Sequence, residues 1–175
     1  MSMSLMATPV YAEDKIADST ATFALYLREN KSLANDPRVI KLERFLKQRG
    51  STMAPYALHA VEEADRLGMD WKLIMAIAGA ESTYGKFIPT NSYNAWGWGV
   101  FTGKQTGVNF ANWKEGITKV SEGIRYNYMD KGAVTLEQIG RKYAASGHWS
   151  TSVGIIMAEI ERTKMPTFAS LEPTL

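Results

Sequence analysis

Apolar residues recur at the spacing of an α-helix along most of the sequence, and one segment interrupts this pattern. The helical period is strong in RVIKLERFLKQR, residues 38–49, and in WKLIMAIAGAES, residues 71–82. Between Tyr93 and Trp113 the period disappears, and glycines alternate there with aromatic and β-branched residues. The sequence therefore predicts a mainly α fold with one small β-hairpin or irregular β lobe inserted among the helices.

Capping residues indicate where the individual helices begin and end. Asp36 followed by Pro37 predicts a helix start, and Gly50 predicts the end of that helix. Asn112 and Thr135 are each followed three residues later by Glu or Gln, which is the pattern of a capping box. The predicted helices after the first one cover 54–67, 70–82, 112 onwards, 135–143 and 151–162, with a weaker one at 15–29.

The predicted organisation is an N-terminal extension at 1–35, partly helical, one domain at 36–165 and a loose tail at 166–175. Within the extension, Val10-Tyr11-Ala12 is similar to the small-residue end of a signal peptide, but a basic start and a strong apolar core are missing. The segment is compatible with the remnant of an export signal and equally with a plain disordered start.

Composition excludes several classes of function. The 175 residues carry a net charge of +2, which is too weak to indicate a nucleic-acid partner. Without Cys and with only two His, the sequence predicts no metal site, and it gives no sign of another cofactor. No apolar run is long enough to span a bilayer, so we expect no integral membrane segment.

Glu81 is the residue whose position most suggests chemistry. It follows Ile74, Ile77 and Ala78 at helical spacing, so it continues an apolar stripe into the last turn of its helix. Burial and the negative helix end would both raise the pKa of this carboxyl group, as a general acid requires. The alternative is a solvated glutamate at a fraying helix end.

Aromatic residues and amides follow Glu81 closely, and together they suggest carbohydrate binding. Aromatic faces pack on the C–H faces of sugars, and amides bind hydroxyl and acetamido groups. Strand alternation predicts that Trp96 and Trp98 share a face, opposite Ala95, Gly97 and Gly99. Either face could instead fill the core. The residues concerned are Tyr84, Asn91, Tyr93, Asn94, Trp96 and Trp98.

Several motifs resemble one protein family. AIAGAESTYGK, residues 76–86, resembles the Glu-Ser motif of bacterial lytic transglycosylases and related endo-N-acetylglucosaminidases of the lysozyme-like superfamily. SYNAWGWG, residues 92–99, resembles a subgroup with Asn-Ala-Trp-Gly-Trp-Gly in place of the commoner Gly-Leu-Met-Gln. FANWKEGI and IGRKYAASGHWSTSV are similar to later landmarks of that subgroup, although Ala144 stands where relatives often have Asn. The resemblance covers residues 38–160.

This resemblance implies a lysozyme-like fold, with a helical body and a small β-hairpin lobe flanking a cleft. It implies an exported enzyme, in the periplasm, wall or extracellular space, whose partner is a peptidoglycan glycan strand. Glu81 would be the catalytic acid/base. The implied substrate-binding residues are Ser82, Tyr84, Tyr93, Asn94, Trp96, Trp98 and Tyr143.

The distribution of acids points to a mechanism with one carboxylate. No Asp or Glu occurs from Ser82 to Trp113, whereas most glycosidases use two carboxylates. The substrate's own N-acetyl group could then supply the internal nucleophile. Glu81 would afterwards deprotonate either the sugar's 6-hydroxyl, giving a 1,6-anhydro end, or a water. We expect a lytic transglycosylase. The alternatives are a hydrolytic endo-N-acetylglucosaminidase, a muramidase, and a non-catalytic module that binds cell wall or chitin.

Overall fold

The structure, a computed structural model, describes residues 35–99, 107–144 and 147–165. In these residues the chain forms six α-helices and two short 3₁₀ turns, Ala54–Tyr56 and Met129–Lys131, which confirms the predicted mainly α fold. The predicted helix at 15–29 and the tail at 166–175 lie outside the described residues. The helices are α1 Pro37–Gln48, α2 Ala57–Leu67, α3 Leu73–Ser82, α4 Trp113–Asn127, α5 Leu136–Tyr143 and α6 Trp149–Glu161.

Most predicted helix ends are confirmed, and the differences are local. The Asp36 carboxylate accepts the backbone N–H of Arg38 at 2.8 Å, and Gly68 ends α2 in the left-handed conformation. Thr135 forms the full capping box with Gln138. The helix predicted at 70–82 begins at Leu73, and the Asp70 carboxylate accepts the N–H of Lys72 in a turn that precedes α3. Residues 54–56 form a 3₁₀ turn, and α6 begins two residues earlier than predicted.

Helix α3 is the centre of the core. Every residue from Leu73 to Ala78 is buried, so this helix is covered on all sides rather than on one stripe. It packs against α6 and α4, and the buried faces of α1 and α2 complete the same core. Each large apolar side chain removed from water in this way contributes about 1.5–3 kcal/mol. The core thus fixes the carboxyl end of α3, where Glu81 lies.

The glycine-rich aromatic segment forms an irregular loop in the part that the structure describes. Residues 92–99 and 107–112 contain no strand, so the predicted β-hairpin is not confirmed, and residues 100–106 lie outside the described part. Two backbone bonds join its two sides. Val108 N–H donates to the Trp98 carbonyl at 3.0 Å, and Phe110 N–H donates to the Ser92 carbonyl at 2.8 Å.

None of the described helices has both the length and the apolar character that crossing a membrane requires.

Candidate active site

The chain leaves α3 through a strained turn directly after Glu81. Thr83, Tyr84 and Gly85 all have positive φ, at 52°, 60° and 80°. For the β-branched Thr83 this conformation is unusual, and such residues cost of order 1–3 kcal/mol each unless the surroundings hold them. The Tyr84 N–H donates back to the Ala78 carbonyl at 3.0 Å, which closes the end of the helix.

Ser82 holds this turn in place and has little surface left for a substrate. Its hydroxyl donates to the Ala95 carbonyl at 2.7 Å and accepts the N–H of Gly85 at 2.9 Å. The side chain is buried. Ser82 therefore joins the end of α3 to the aromatic loop, and its predicted contact with substrate stays a prediction.

Tyr84 is likewise a structural residue. Its ring is buried, packs edge-on against Phe45 at 5.5 Å between centroids, and fits over Gly79, where a Cβ atom would lie only 2.5 Å from it. Its carbonyl accepts the Ser51 hydroxyl at 2.9 Å. The ring thus anchors the strained turn to the core, and the predicted contact of Tyr84 with substrate stays a prediction.

The Glu81 carboxyl group has one oxygen held by the protein and one that faces a glycine. Trp149 Nε1–H donates to Oε1 at 2.8 Å. A Cβ atom at Gly97 would lie 3.9 Å from Oε2, so the missing side chain leaves room beside that oxygen. Glu81 is exposed as a residue, yet burial of its carboxyl group raises the pKa, and the Trp149 hydrogen bond opposes this shift.

Four aromatic rings form a cluster beside this carboxyl group. Tyr143 is central, with ring centroids 5.0 Å from Trp149, 6.1 Å from Trp98 and 6.2 Å from Tyr128. Its hydroxyl donates to the Trp96 carbonyl. Burial and the nearby negative charge of Glu81 raise the Tyr143 pKa well above its usual value, so the phenol stays neutral.

Trp96 and Asn94 form the scaffold of the loop instead of a sugar-binding surface. Trp96 is 0% exposed, and its Nε1–H donates to the Ile74 carbonyl at 2.9 Å. Asn94 donates to the carbonyls of Trp98 and Val108, and its Oδ1 accepts the Trp98 N–H at 2.9 Å. Their predicted contacts with substrate stay predictions, and in this structure the Trp96 ring is covered and both amide hydrogens of Asn94 are bonded within the protein.

Tyr93 and Trp98 keep partly exposed rings. The Tyr93 ring packs edge-on against Trp113 at 5.3 Å, whereas Trp98 belongs to the cluster around Tyr143. The structure therefore brings Glu81, Trp98 and Tyr143 of the predicted set together, and it places Tyr93 against a different ring.

The sequence analysis missed Trp149, Tyr128 and the particular importance of Gly97. Trp149 is the first residue of α6, and no spacing rule connects it with a carboxylate 68 positions earlier. A usable signal existed in α4, where Gly116 and Gly123 lie seven residues apart on one face. Cβ atoms there would meet Trp96 at 2.9 Å and Trp98 at 2.1 Å, so helical glycines indicate where rings approach closely.

In the described ranges, no group of three or more His, Cys, Asp or Glu side chains is arranged to hold a metal ion. No protein-family model matches the chain, and no curated protein matches it.

Proposed function

We propose that this protein cleaves the glycan strands of peptidoglycan at a β-1,4 bond, with Glu81 as its single acid/base. The observation that carries the proposal is the environment of Glu81. An exposed carboxyl group with a raised pKa stands at the rigid end of a buried helix, beside an aromatic cluster and a glycine. A general acid for a glycosidic oxygen needs this combination of protonation and access.

The two oxygens of Glu81 support different tasks. Because Oε1 accepts the Trp149 N–H, a proton on the carboxyl group resides on Oε2. Oε2 lies beside the space that Gly97 leaves open, and a leaving glycosidic oxygen would enter there. Trp149 fixes the rotation of the carboxyl group, and its N–H bond also stabilises the carboxylate that remains after proton transfer.

The nucleophile in this proposal is the acetamido oxygen of the substrate. Among the described residues, no second carboxylate is hydrogen bonded or paired with Glu81, so the usual protein nucleophile has no candidate at this place. The Tyr143 hydroxyl donates its hydrogen to the Trp96 carbonyl, so its oxygen remains able to accept a hydrogen bond. That oxygen would accept a hydrogen bond from the N–H of the substrate's acetamido group. This bond would orient the acetamido oxygen towards the anomeric carbon.

The aromatic cluster favours an intramolecular second step. Once the first bond is broken, Glu81 is a carboxylate beside an activated sugar. The rings of Tyr143 and Trp149 lie beside it, and a bound sugar would cover its exposed side and hold its own 6-hydroxyl nearby. Deprotonation of that hydroxyl by Glu81 gives a 1,6-anhydro end. The proposed activity is therefore that of a lytic transglycosylase, with hydrolysis as the alternative outcome.

The fold and location of the proposed enzyme follow the resemblance of its motifs. A lysozyme-like arrangement, with a catalytic glutamate at a helix end beside an aromatic loop, is consistent with α3 and residues 92–99. Because peptidoglycan lies outside the cytoplasmic membrane, the proposal also requires export.

The test compares wild type with Glu81→Gln on purified cell walls. Glutamine keeps an oxygen for the Trp149 N–H but cannot donate the proton, so we expect wall clearing to fall by about a hundredfold or more with the fold intact. Glu43→Gln, which replaces a carboxylate on α1 that pairs with Lys47, is the matched control. A folded Glu81→Gln protein with wild-type turnover would overturn the assignment.

Mass spectra of the digest identify the second step. An anhydro end is one water lighter than a reducing end, and we expect anhydromuramyl ends. Reducing N-acetylglucosamine ends would indicate a glucosaminidase, and reducing N-acetylmuramic acid ends a muramidase, with Glu81 still the acid.

A further inference from the structure

A groove of about 480 Å³ lies between the face of α4 and the residues that precede this helix. Its volume falls within the range of about 300–1,000 Å³ that is typical of small-molecule sites. Trp98 lines the groove, whereas Glu81, Tyr143 and Trp149 do not. The groove is thus separate from the carboxyl group but shares one ring with the cluster beside it.

The surface of the groove combines rings with amides. Tyr126 is 50% exposed and Val108 is 44% exposed, which is unusual for such large apolar side chains. Asn109 and Asn127 are exposed beside them and offer amide donors and acceptors. Flat apolar faces next to amides fit a ligand that has both C–H faces and acetamido or hydroxyl groups.

The charged groups of the groove already have partners within the protein. Glu122 pairs with Arg66 at 3.1 Å and lies 3.6 Å from Lys119. Glu115 accepts the N–H of Ala111 at 2.6 Å. A charged ligand would have to displace these partners, so the groove suits a neutral ligand better than a charged one.

We propose that this groove binds a neutral segment of N-acetylated, β-1,4-linked glycan, away from the bond that Glu81 breaks. The inference rests on the proposed function for its choice of ligand, because glycan strands carry sugars on both sides of any cleaved bond. A stem peptide is the less suitable occupant, since its carboxylates and amines would meet the paired Glu122 and Lys119. The groove would hold the strand while Trp98 links it to the cluster around Tyr143.

The test measures binding of the β-1,4-linked hexamer of N-acetylglucosamine by calorimetry, in the Glu81→Gln background so that the probe stays intact. Tyr126→Ala removes the exposed ring and should weaken binding about fivefold to tenfold. Asn127→Ala should weaken it less, and Tyr126→Phe should retain it. Ile155→Ala, on α6 and 56% exposed, is the matched control and should leave affinity unchanged.

Each outcome either supports or overturns the inference. Unchanged affinity in both Tyr126→Ala and Asn127→Ala, with both proteins folded, overturns it. Binding of a free stem peptide that Tyr126→Ala abolishes would assign the groove to peptide and also overturn it. The proposed function is tested separately by wall clearing with Glu81→Gln. An inactive wild type that still binds the hexamer through Tyr126 would refute only the enzyme.

Discussion

Trp96 and Trp98 are two residues apart in one motif, yet they belong to different parts of the molecule. Trp96 is completely buried, donates to the Ile74 carbonyl of α3 and packs near Phe110 and Trp113. Trp98 is half-buried, lies in the cluster beside Glu81 and lines the groove along α4. One ring therefore builds the scaffold, and the other is available to a ligand.

The residue between the two tryptophans explains the difference. Strand alternation would put both rings on one face, but Gly97 has a φ of 61° and Gly99 a φ of 71°. Left-handed residues break the period of two, so the side chains on either side of Gly97 leave the backbone in unrelated directions. The same glycine keeps the space beside Glu81 Oε2 open.

Replacement of each tryptophan by alanine should give the largest difference in stability between the two positions. We expect Trp96→Ala to lower the free energy of unfolding by about 3–5 kcal/mol, because it leaves a large cavity in the core. Trp98→Ala should cost less than that, about half, since its ring is only partly buried, and should weaken binding of glycan oligomers. Chemical denaturation and calorimetric titration measure the two effects. Equal losses of stability in the two variants would contradict the conclusion that Trp96 builds the scaffold and Trp98 is available to a ligand.

Asn94 is the residue that holds the two halves of the loop together. Asn94→Ala would leave the carbonyls of Trp98 and Val108 and the Trp98 N–H without their partner. We expect a loss of about 2–3 kcal/mol in the free energy of unfolding. Asn94→Asp is the informative control, because aspartate can accept from the Trp98 N–H but cannot donate to either carbonyl. Wild-type urea midpoints for both variants would show that these bonds do not stabilise the loop.

The helical glycines offer a milder way to disturb each ring separately. Gly116→Ala would place Cβ 2.8 Å from the Tyr93 carbonyl oxygen and 2.9 Å from the Trp96 ring, neither of which can move easily. Gly123→Ala would place Cβ 2.1 Å from the Trp98 ring, which is partly exposed. We expect Gly116→Ala to cost about 1–3 kcal/mol. Gly123→Ala should cost less, because the partly exposed Trp98 ring can shift more easily than the Tyr93 backbone and the buried Trp96 ring, while the gain of up to about 1 kcal/mol from alanine in a helix is common to both variants. Near-UV circular dichroism should report the displaced ring in Gly123→Ala.

The sequence predicts the helices well because their signals are local. Asp36 with Pro37, Gly68, and Thr135 with Gln138 act within one turn, so each could be assigned without knowledge of the fold. The arrangement around Glu81 depends on distant contacts instead. Trp149 reaches the carboxyl group across 68 positions. The burial of Trp96 depends on Gly116 of α4. The loop that separates the rings depends on left-handed backbone angles, which glycine permits but does not enforce.

The smallest expected effect is the pH dependence of stability that Glu81 causes, and this residue lies on the ligand side of the loop. Its pKa in the folded protein is above the usual value of 4.5, mainly through burial. Between pH 4.5 and the higher pKa of the folded protein, the folded state binds more protons than the unfolded state. The free energy of unfolding therefore falls as the pH rises through this window. Glu81→Gln removes this dependence and should therefore gain stability relative to wild type between acid and neutral pH.

This gain should be small, because Glu81 keeps access to solvent and screening weakens the effect. Urea midpoints at pH 4 and pH 7 for both proteins measure it. Glu137→Gln is a control of opposite sign, because hydrogen bonds of its carboxylate lower the pKa of Glu137, so that variant should lose relative stability as the pH rises. A relative loss of stability in Glu81→Gln at neutral pH would mean that the protein stabilises the carboxylate. In that case Trp149 would outweigh burial, and Glu81 would be a poor acid.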